Sequence, residues 1–269
     1  MTPRKLRLAV LVSGGGTNLQ SLLDRSRDGR LAAEVVAVAS DNPGAYGLER
    51  ARAAGVPAFV VDYGRGGAAE EVSPDLLDAL ISRARAFLER RGAPEDLRAR
   101  LARRVAAERA LIAAIEPFSP DYVCCAGFMR LLSPYFLDRF RGEAGVPRVL
   151  NVHPALLPAF PGTHGNEDTL AHGVMWGGVT VHFMDEGEDS GPVIAQAVYP
   201  VYPADTVETV RARGLALEYE VYAQVVNWLA RGEVEVRAAG EGGGRPRVCV
   251  TDPNLKYVLR GWLELAFSA

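Results

Sequence analysis

Three cysteines are all that this chain of 269 residues contains, and none of them has metal-ligand spacing. Cys124 and Cys125 are adjacent in an apolar run and Cys249 is remote, so they read as buried free thiols. A basic surplus is also missing. With 30 Lys and Arg against 33 Asp and Glu, the formal charge is -3, which argues against a dedicated nucleic-acid binder and leaves small-molecule chemistry as the expectation. No apolar run is long enough to span a membrane. The N-terminal one, residues 6–12, is broken by Arg7 and closed by glycines, too short for a signal peptide, so a cytoplasmic protein with no membrane partner is expected. There is no internal repeat. With 23% charged and 48% hydrophobic residues, neither disorder nor a fibrous fold is indicated, and the length suits one large domain or a domain with an appended lobe.

Short apolar runs alternate with helical periodicity. Residues 6–12, 35–40, 58–61, 121–126 and 146–152 read as strands, and the intervening segments near 19–23 and 46–55 as helices, which predicts an α/β fold: a doubly wound, mostly parallel sheet with helices on both faces. The run 121–126 is nearly all apolar and should be central. Residues 178–184 and 193–201 read as two further strands able to pair antiparallel, and 206–231 as a long amphipathic helix. Residues 75–116 carry alanine, leucine and arginine at helical period, interrupted by Gly92-Ala93-Pro94; they predict two helices. A glycine cluster, 240–244, marks a hinge before a short strand and helix. The expected organisation is a catalytic domain over 1–236 with a helical insertion at about 64–116, then an extension over 237–269.

Two stretches carry chemistry. Ser13-Gly14-Gly15-Gly16-Thr17-Asn18 joins the first strand to the first helix, a junction that presents backbone N–H groups to a phosphate. It lacks a Walker lysine and the spacing of a dinucleotide fingerprint, which favours a mononucleotide or sugar phosphate. The second stretch is the end of the fifth strand and the proline-rich loop after it, Asn151-Val152-His153-Pro154 to Pro161-Gly162-Thr163-His164. Asn151 and His153 alternate in extended backbone, so their side chains share a face. An amide donor beside an imidazole suits a reaction through an oxyanion, and with no serine or cysteine placed as a nucleophile, direct attack by the substrate's own amine is favoured. The partner carboxylate should come from the acidic loop 185–192 and should favour the charged imidazole. His164 and His182 read as structural, and a zinc site from His153, His164 and His182 lacks a ligand motif.

Four motifs in order, Ser13-Gly14-Gly15-Gly16-Thr17-Asn18-Leu19-Gln20, Ala126-Gly127-Phe128-Met129-Arg130-Leu131-Leu132-Ser133-Pro134, Asn151-Val152-His153-Pro154 through His164, and Val179-Thr180-Val181-His182-Phe183 through Asp189-Ser190-Gly191-Pro192, make the chain resemble the folate-dependent phosphoribosylglycinamide formyltransferases of purine biosynthesis. The resemblance covers roughly residues 6–62 and 117–236. It implies Asn151, His153 and Asp189 as the catalytic trio. Gly16, Thr17 and Asn18 would receive the substrate phosphate, and Glu218 would contact the glycinamide. Met129, Arg130, Leu131 and Leu132, with Asp185 and Glu186, would line the pterin pocket for 10-formyltetrahydrofolate, the formyl donor. No metal is implied. Arg83 would be the folate-side arginine, and the protein a monomer or homodimer acting on small molecules only.

The chain departs from that family in the length of 64–116, in Gly165-Asn166 where many relatives carry a second histidine, and beyond Arg237. Formyltetrahydrofolate deformylase would use the same trio with water as acceptor, but it carries an N-terminal regulatory domain for which the start of this sequence leaves no room. Methionyl-tRNA formyltransferase would want a larger C-terminal domain than the roughly 33 residues after Val236. A non-catalytic folate or sugar-phosphate binder would not require the whole trio.

Overall fold

The computed structural model describes residues 4–64, 72–89, 97–237 and 246–268. Five parallel strands form its centre: β1 (Leu6–Val12), β2 (Ala33–Ser40), β3 (Ala58–Val60), β4 (Tyr122–Cys125) and β5 (Val149–His153), extended by β6 (Trp176–Phe183) and β7 (Val193–Pro200) into one sheet of order β3-β2-β1-β4-β5-β6-β7. β5 to β6 and β6 to β7 are antiparallel. The run expected to be central, β4, lies fourth of seven.

Alternation within β1 shows why both faces are covered. Leu8, Val10 and Val12 pack with Leu19 and Leu22 of α1 (Thr17–Arg27), Leu48 of α2 (Tyr46–Ala53), and Leu217 and Val221 of α7 (Val207–Ala230). Ala9 and Leu11 face the other way, onto Leu111, Ile112 and Ile115 of α4 (Leu97–Ile115) and Phe136 of α5 (Pro134–Arg139). Helices on both faces follow from strands whose apolar residues point to both sides of the sheet.

The segment expected as an insertion divides in two. α3 (Pro74–Glu89) and the first half of α4 share a small core of their own, Val72, Leu77, Leu80, Leu101 and Val105. The second half of α4 is the crossover between β3 and β4 and belongs to the main core. The interruption at Gly92-Ala93-Pro94 and the hinge at 240–244 lie outside the described residues. Beyond α7, β8 (Val234–Arg237) and β9 (Arg247–Val250) form an antiparallel pair and α8 (Leu255–Ser268) follows. This tail is packed onto the domain: Trp262 stacks edge-on against Trp228 with centroids 5.8 Å apart, and Asp252 accepts a 2.7 Å hydrogen bond from the Trp228 indole. No described helix is long and apolar enough to cross a membrane.

Candidate active site

The carboxyl ends of β4 and β5 open onto a cavity of about 430 Å³, where open α/β sheets place ligands. Asn151, His153 and Asp189 all line it. Asn151 is half-buried and His153 is 3% exposed. His153 Nδ1 lies 3.4 Å from Asp189 Oδ2, and Asn151 Nδ2 lies 3.4 Å from Asp189 Oδ1. One carboxylate therefore touches both members of the strand pair. Asp189 sits in the left-handed region, φ 49°, and its Oδ2 accepts a 2.8 Å hydrogen bond from the backbone N–H of Gly162, which ties the acidic loop to the proline loop.

That proline loop is pinned from below by the antiparallel strands. Thr180 Oγ1 donates to the Ala155 carbonyl (2.7 Å) and accepts from Leu157 N–H (3.1 Å), and Gln196 donates to the Leu157 carbonyl (2.7 Å). Phe160, at φ 55°, turns its carbonyl to within 2.8 Å of His153 Nε2. The Nε2 proton is committed there, so Nδ1 is the nitrogen left to exchange a proton beside Asp189.

His182 joins this group, although it read as structural. The β5–β6 register pairs Asn151 with His182, which places their side chains on one face. His182 Nδ1 faces the Phe183 carbonyl at 2.9 Å, and Nε2 lies 3.3 Å from Asn151 Nδ2 and 3.6 Å from Asp189 Oδ1. The sequence alone cannot reveal this, because β5 and β6 are separated by a loop and a helix, α6 (Gly165–Ala171).

Electrostatics correct one expectation. The carboxylate was expected to keep His153 charged; instead burial, the largest influence, pulls its pKa below the ordinary 6.5 against the opposing pull of Asp189. For Asp189, burial pushes upward, yet the neighbouring His182 and His153 imidazoles and the Gly162 N–H outweigh it, and its pKa falls below the usual value. The resting pair is a neutral imidazole facing an ionised carboxylate. Cys125 also lines the cavity, but burial and then the neighbouring Cys124 hold its thiol far above the ordinary value, so it is no nucleophile.

The other wall comes from α1 and α7. Arg211, Leu215 and Glu218 face the cavity along one stripe of α7, with Thr17 opposite. Glu218 is 8% exposed, and burial pushes its pKa up to about 7; its Oε2 accepts a 2.5 Å hydrogen bond from Asn18 Nδ2. Asn18 thus turns inward, away from the loop's backbone. Gly16 takes the left-handed φ of 68° just before α1, where a Cβ would come within 2.6 Å of the Gly47 Cα, so only glycine seats this turn against α2.

Met129, Arg130 and Leu131 line the cavity, whereas Leu132 is buried in the core. Arg130 donates to Asp41 Oδ2 (2.6 Å), Asp41 Oδ1 accepts from Ser13 Oγ (2.5 Å), and Ser13 Oγ accepts from Met129 N–H (2.8 Å). Asp41, just beyond β2, thereby joins the glycine loop to the Met129 loop. Three expected cofactor residues lie apart from the cavity. Asp185 spends its carboxylate on the Gly187 N–H and the Ser190 hydroxyl, and Glu186 is paired with Arg83. Arg83 is also bonded to Asp138 and faces a separate depression between α3 and α5. The two charges that the acidic loop does present to the cavity are Glu188 and Asp189. Among the described residues there is no cluster of His, Cys, Asp and Glu that could hold a metal ion.

An imidazole, a carboxylate and an amide thus converge on a largely apolar cavity of an α/β fold, a set suited to moving protons around a carbonyl-type centre. The Formyl transferase model matches residues 6–226, and the chain belongs to the formyl transferase family. It is 40% identical over 230 residues to the phosphoribosylglycinamide formyltransferase of Mycobacterium tuberculosis, covering 86% of this chain and 87% of that protein. The bovine trifunctional purine biosynthetic protein adenosine-3 is 34% identical over 92% of this chain, which spans only 20% of that much longer protein. Among solved structures, glycinamide ribonucleotide transformylase 1 of Symbiobacterium toebii superposes with a TM-score of 0.70 at 38% identity, covering 93% and 95% of the two chains. A formyltetrahydrofolate deformylase of Pseudomonas putida is more distant: 25% identity, a TM-score of 0.64, and coverage of 93% and 72%.

Proposed function

We propose that this enzyme transfers the formyl group of 10-formyltetrahydrofolate to the glycinamide amine of phosphoribosylglycinamide, by direct attack through a tetrahedral intermediate. The observation that carries the reading is the meeting of Asn151, His153 and Asp189 on one side of the cavity with Glu218 on the other. An acceptor amine arrives protonated at neutral pH and must lose a proton to attack. Glu218, with a pKa of about 7, is matched to receive it.

As the amine adds, the formyl oxygen becomes an oxyanion. Asn151 holds its Nδ2 protons in two long contacts, 3.3 and 3.4 Å, and a charged oxygen is a stronger acceptor than either partner. Neutral His153 takes the second amine proton at Nδ1 and returns it to the departing folate nitrogen. Ionised Asp189 stabilises the imidazolium while it exists. Gly16 to Asn18 and the Met129 to Leu131 loop are assigned to the substrate phosphate and the pterin.

Formyl loss from 10-formyltetrahydrofolate, followed with and without phosphoribosylglycinamide, tests the reading. Loss that requires the amine, with stoichiometric formylated product, is expected. Equal loss in its absence would mean a hydrolase, and no loss a binding protein.

A further inference from the structure

Asn166, the second residue of α6, is 7% exposed. Its Oδ1 is nevertheless buried without a hydrogen-bond partner. Burying an amide unpaired is unfavourable, and native structures rarely tolerate it without a purpose. This amide lines the catalytic cavity together with Thr17, Arg211 and Glu218.

Its position is set by the backbone. The preceding Gly165 approaches the strand end so closely that a Cβ there would lie 3.0 Å from the Pro154 carbonyl oxygen, one residue beyond His153. The Thr169 hydroxyl closes the turn by donating to the Gly165 carbonyl at 2.6 Å, and an Arg211–Glu167 ion pair of 3.1 Å fastens α6 to α7. Asn166 is held between the catalytic strand end and the Glu218 helix with its Oδ1 unpaired.

We infer that Asn166 is a specificity residue for the amine acceptor, hydrogen-bonding an uncharged group of it, a sugar hydroxyl or its amide. The inference rests on the proposed function. A carboxamide carries no charge and offers one acceptor and two donors, which suits a neutral polar group. The charged ends of the acceptor have other partners: the glycine loop for the phosphate and Glu218 for the amine.

Steady-state kinetics of Asn166→Leu and Asn166→Ala test this. The KM for phosphoribosylglycinamide should rise roughly tenfold, in keeping with one lost hydrogen bond, while the KM for 10-formyltetrahydrofolate and the kcat at saturation stay within about twofold. The melting temperature of Asn166→Leu should be unchanged or raised, since an unpaired polar group has been removed; a structural asparagine would instead lower it. The 2′-deoxyribosyl acceptor separates the two sources. If it weakens binding to the wild type and not to Asn166→Leu, the contact is the sugar hydroxyl; if it weakens both equally, the contact is the amide. An unchanged acceptor KM in both variants overturns the inference and leaves the function standing. Wild-type protein without amine-dependent transfer overturns the function instead.

Discussion

Asp189 is in contact with Asn151, His153 and the Gly162 N–H, so replacing it removes a charge and loosens a site together. Asp189→Asn and His153→Ala are each expected to lower kcat by about 10²- to 10⁴-fold, the range for loss of a positioned acid–base group, with both substrates still binding; near-normal kcat in either refutes the mechanism. Glu218 gives a second prediction with a definite sign. The proposed transfer needs it ionised, and its pKa is about 7, so kcat/KM should fall as the pH drops through that value. His153, needed neutral and held below 6.5, should steepen the fall at lower pH. In Glu218→Gln the break near 7 should vanish while the lower one persists; comparing both proteins on one acceptor cancels the acceptor's own titration. Asn151 and His153 were legible in the sequence because strand alternation fixes their common face. Asp189 was singled out from its acidic neighbours by the resemblance and not by spacing. His182 and Asn166 were not legible, since each enters the site through a pairing between segments that no local pattern encodes.

The strands and long helices emerged close to their expected bounds, and the short helices did not. The six residues of α5 and seven of α6 are too brief for a periodic signal, yet α6 brings Asn166 to the cavity and α5 supplies Asp138 to Arg83. The tie between α4 and the Met129 loop was equally hidden: fully buried Glu108 accepts hydrogen bonds from both the backbone N–H (2.7 Å) and the hydroxyl of Ser133. Burial, against those bonds, pushes Glu108 from 4.5 up to about 7. Between these values the folded chain binds a proton that the unfolded chain does not, so unfolding free energy must fall as pH rises. The contribution is fully present below about pH 4.5 and gone above about 7, a loss of about 3 kcal/mol. Urea unfolding at pH 5 and pH 8 should show it, and Glu108→Gln should flatten the difference by about that amount, leaving the part due to Glu218. An unchanged slope in Glu108→Gln would mean that Glu108 ionises normally.

At the scale of the whole molecule, the cavity and the C-terminal tail occupy different parts of the fold. None of the described residues lining the catalytic cavity belongs to β8, β9 or α8, whereas Trp262 and Ala266 of α8 are buried in the same core as β1 and α7. The tail was read as an extension because its glycine-rich approach breaks the α/β pattern, and nothing local announces that Trp262 meets Trp228 across a gap of 34 residues in sequence or that Asp252 satisfies the Trp228 indole. Removing the tail would expose Trp228, which is fully buried, and leave its N–H unpaired, so truncation after Arg237 should give aggregated protein. Trp262→Ala is the gentler probe. It should cost about 3–5 kcal/mol of stability, the range for emptying an aromatic site in a core, with a clearly lower melting temperature. At 20 °C its kcat/KM should match the wild type, because the strand that carries Asn151 and His153 and the stripe on α7 that carries Glu218 keep their other packing partners. A parallel fall in kcat/KM would instead show that the α7 wall of the cavity depends on the tail for its position.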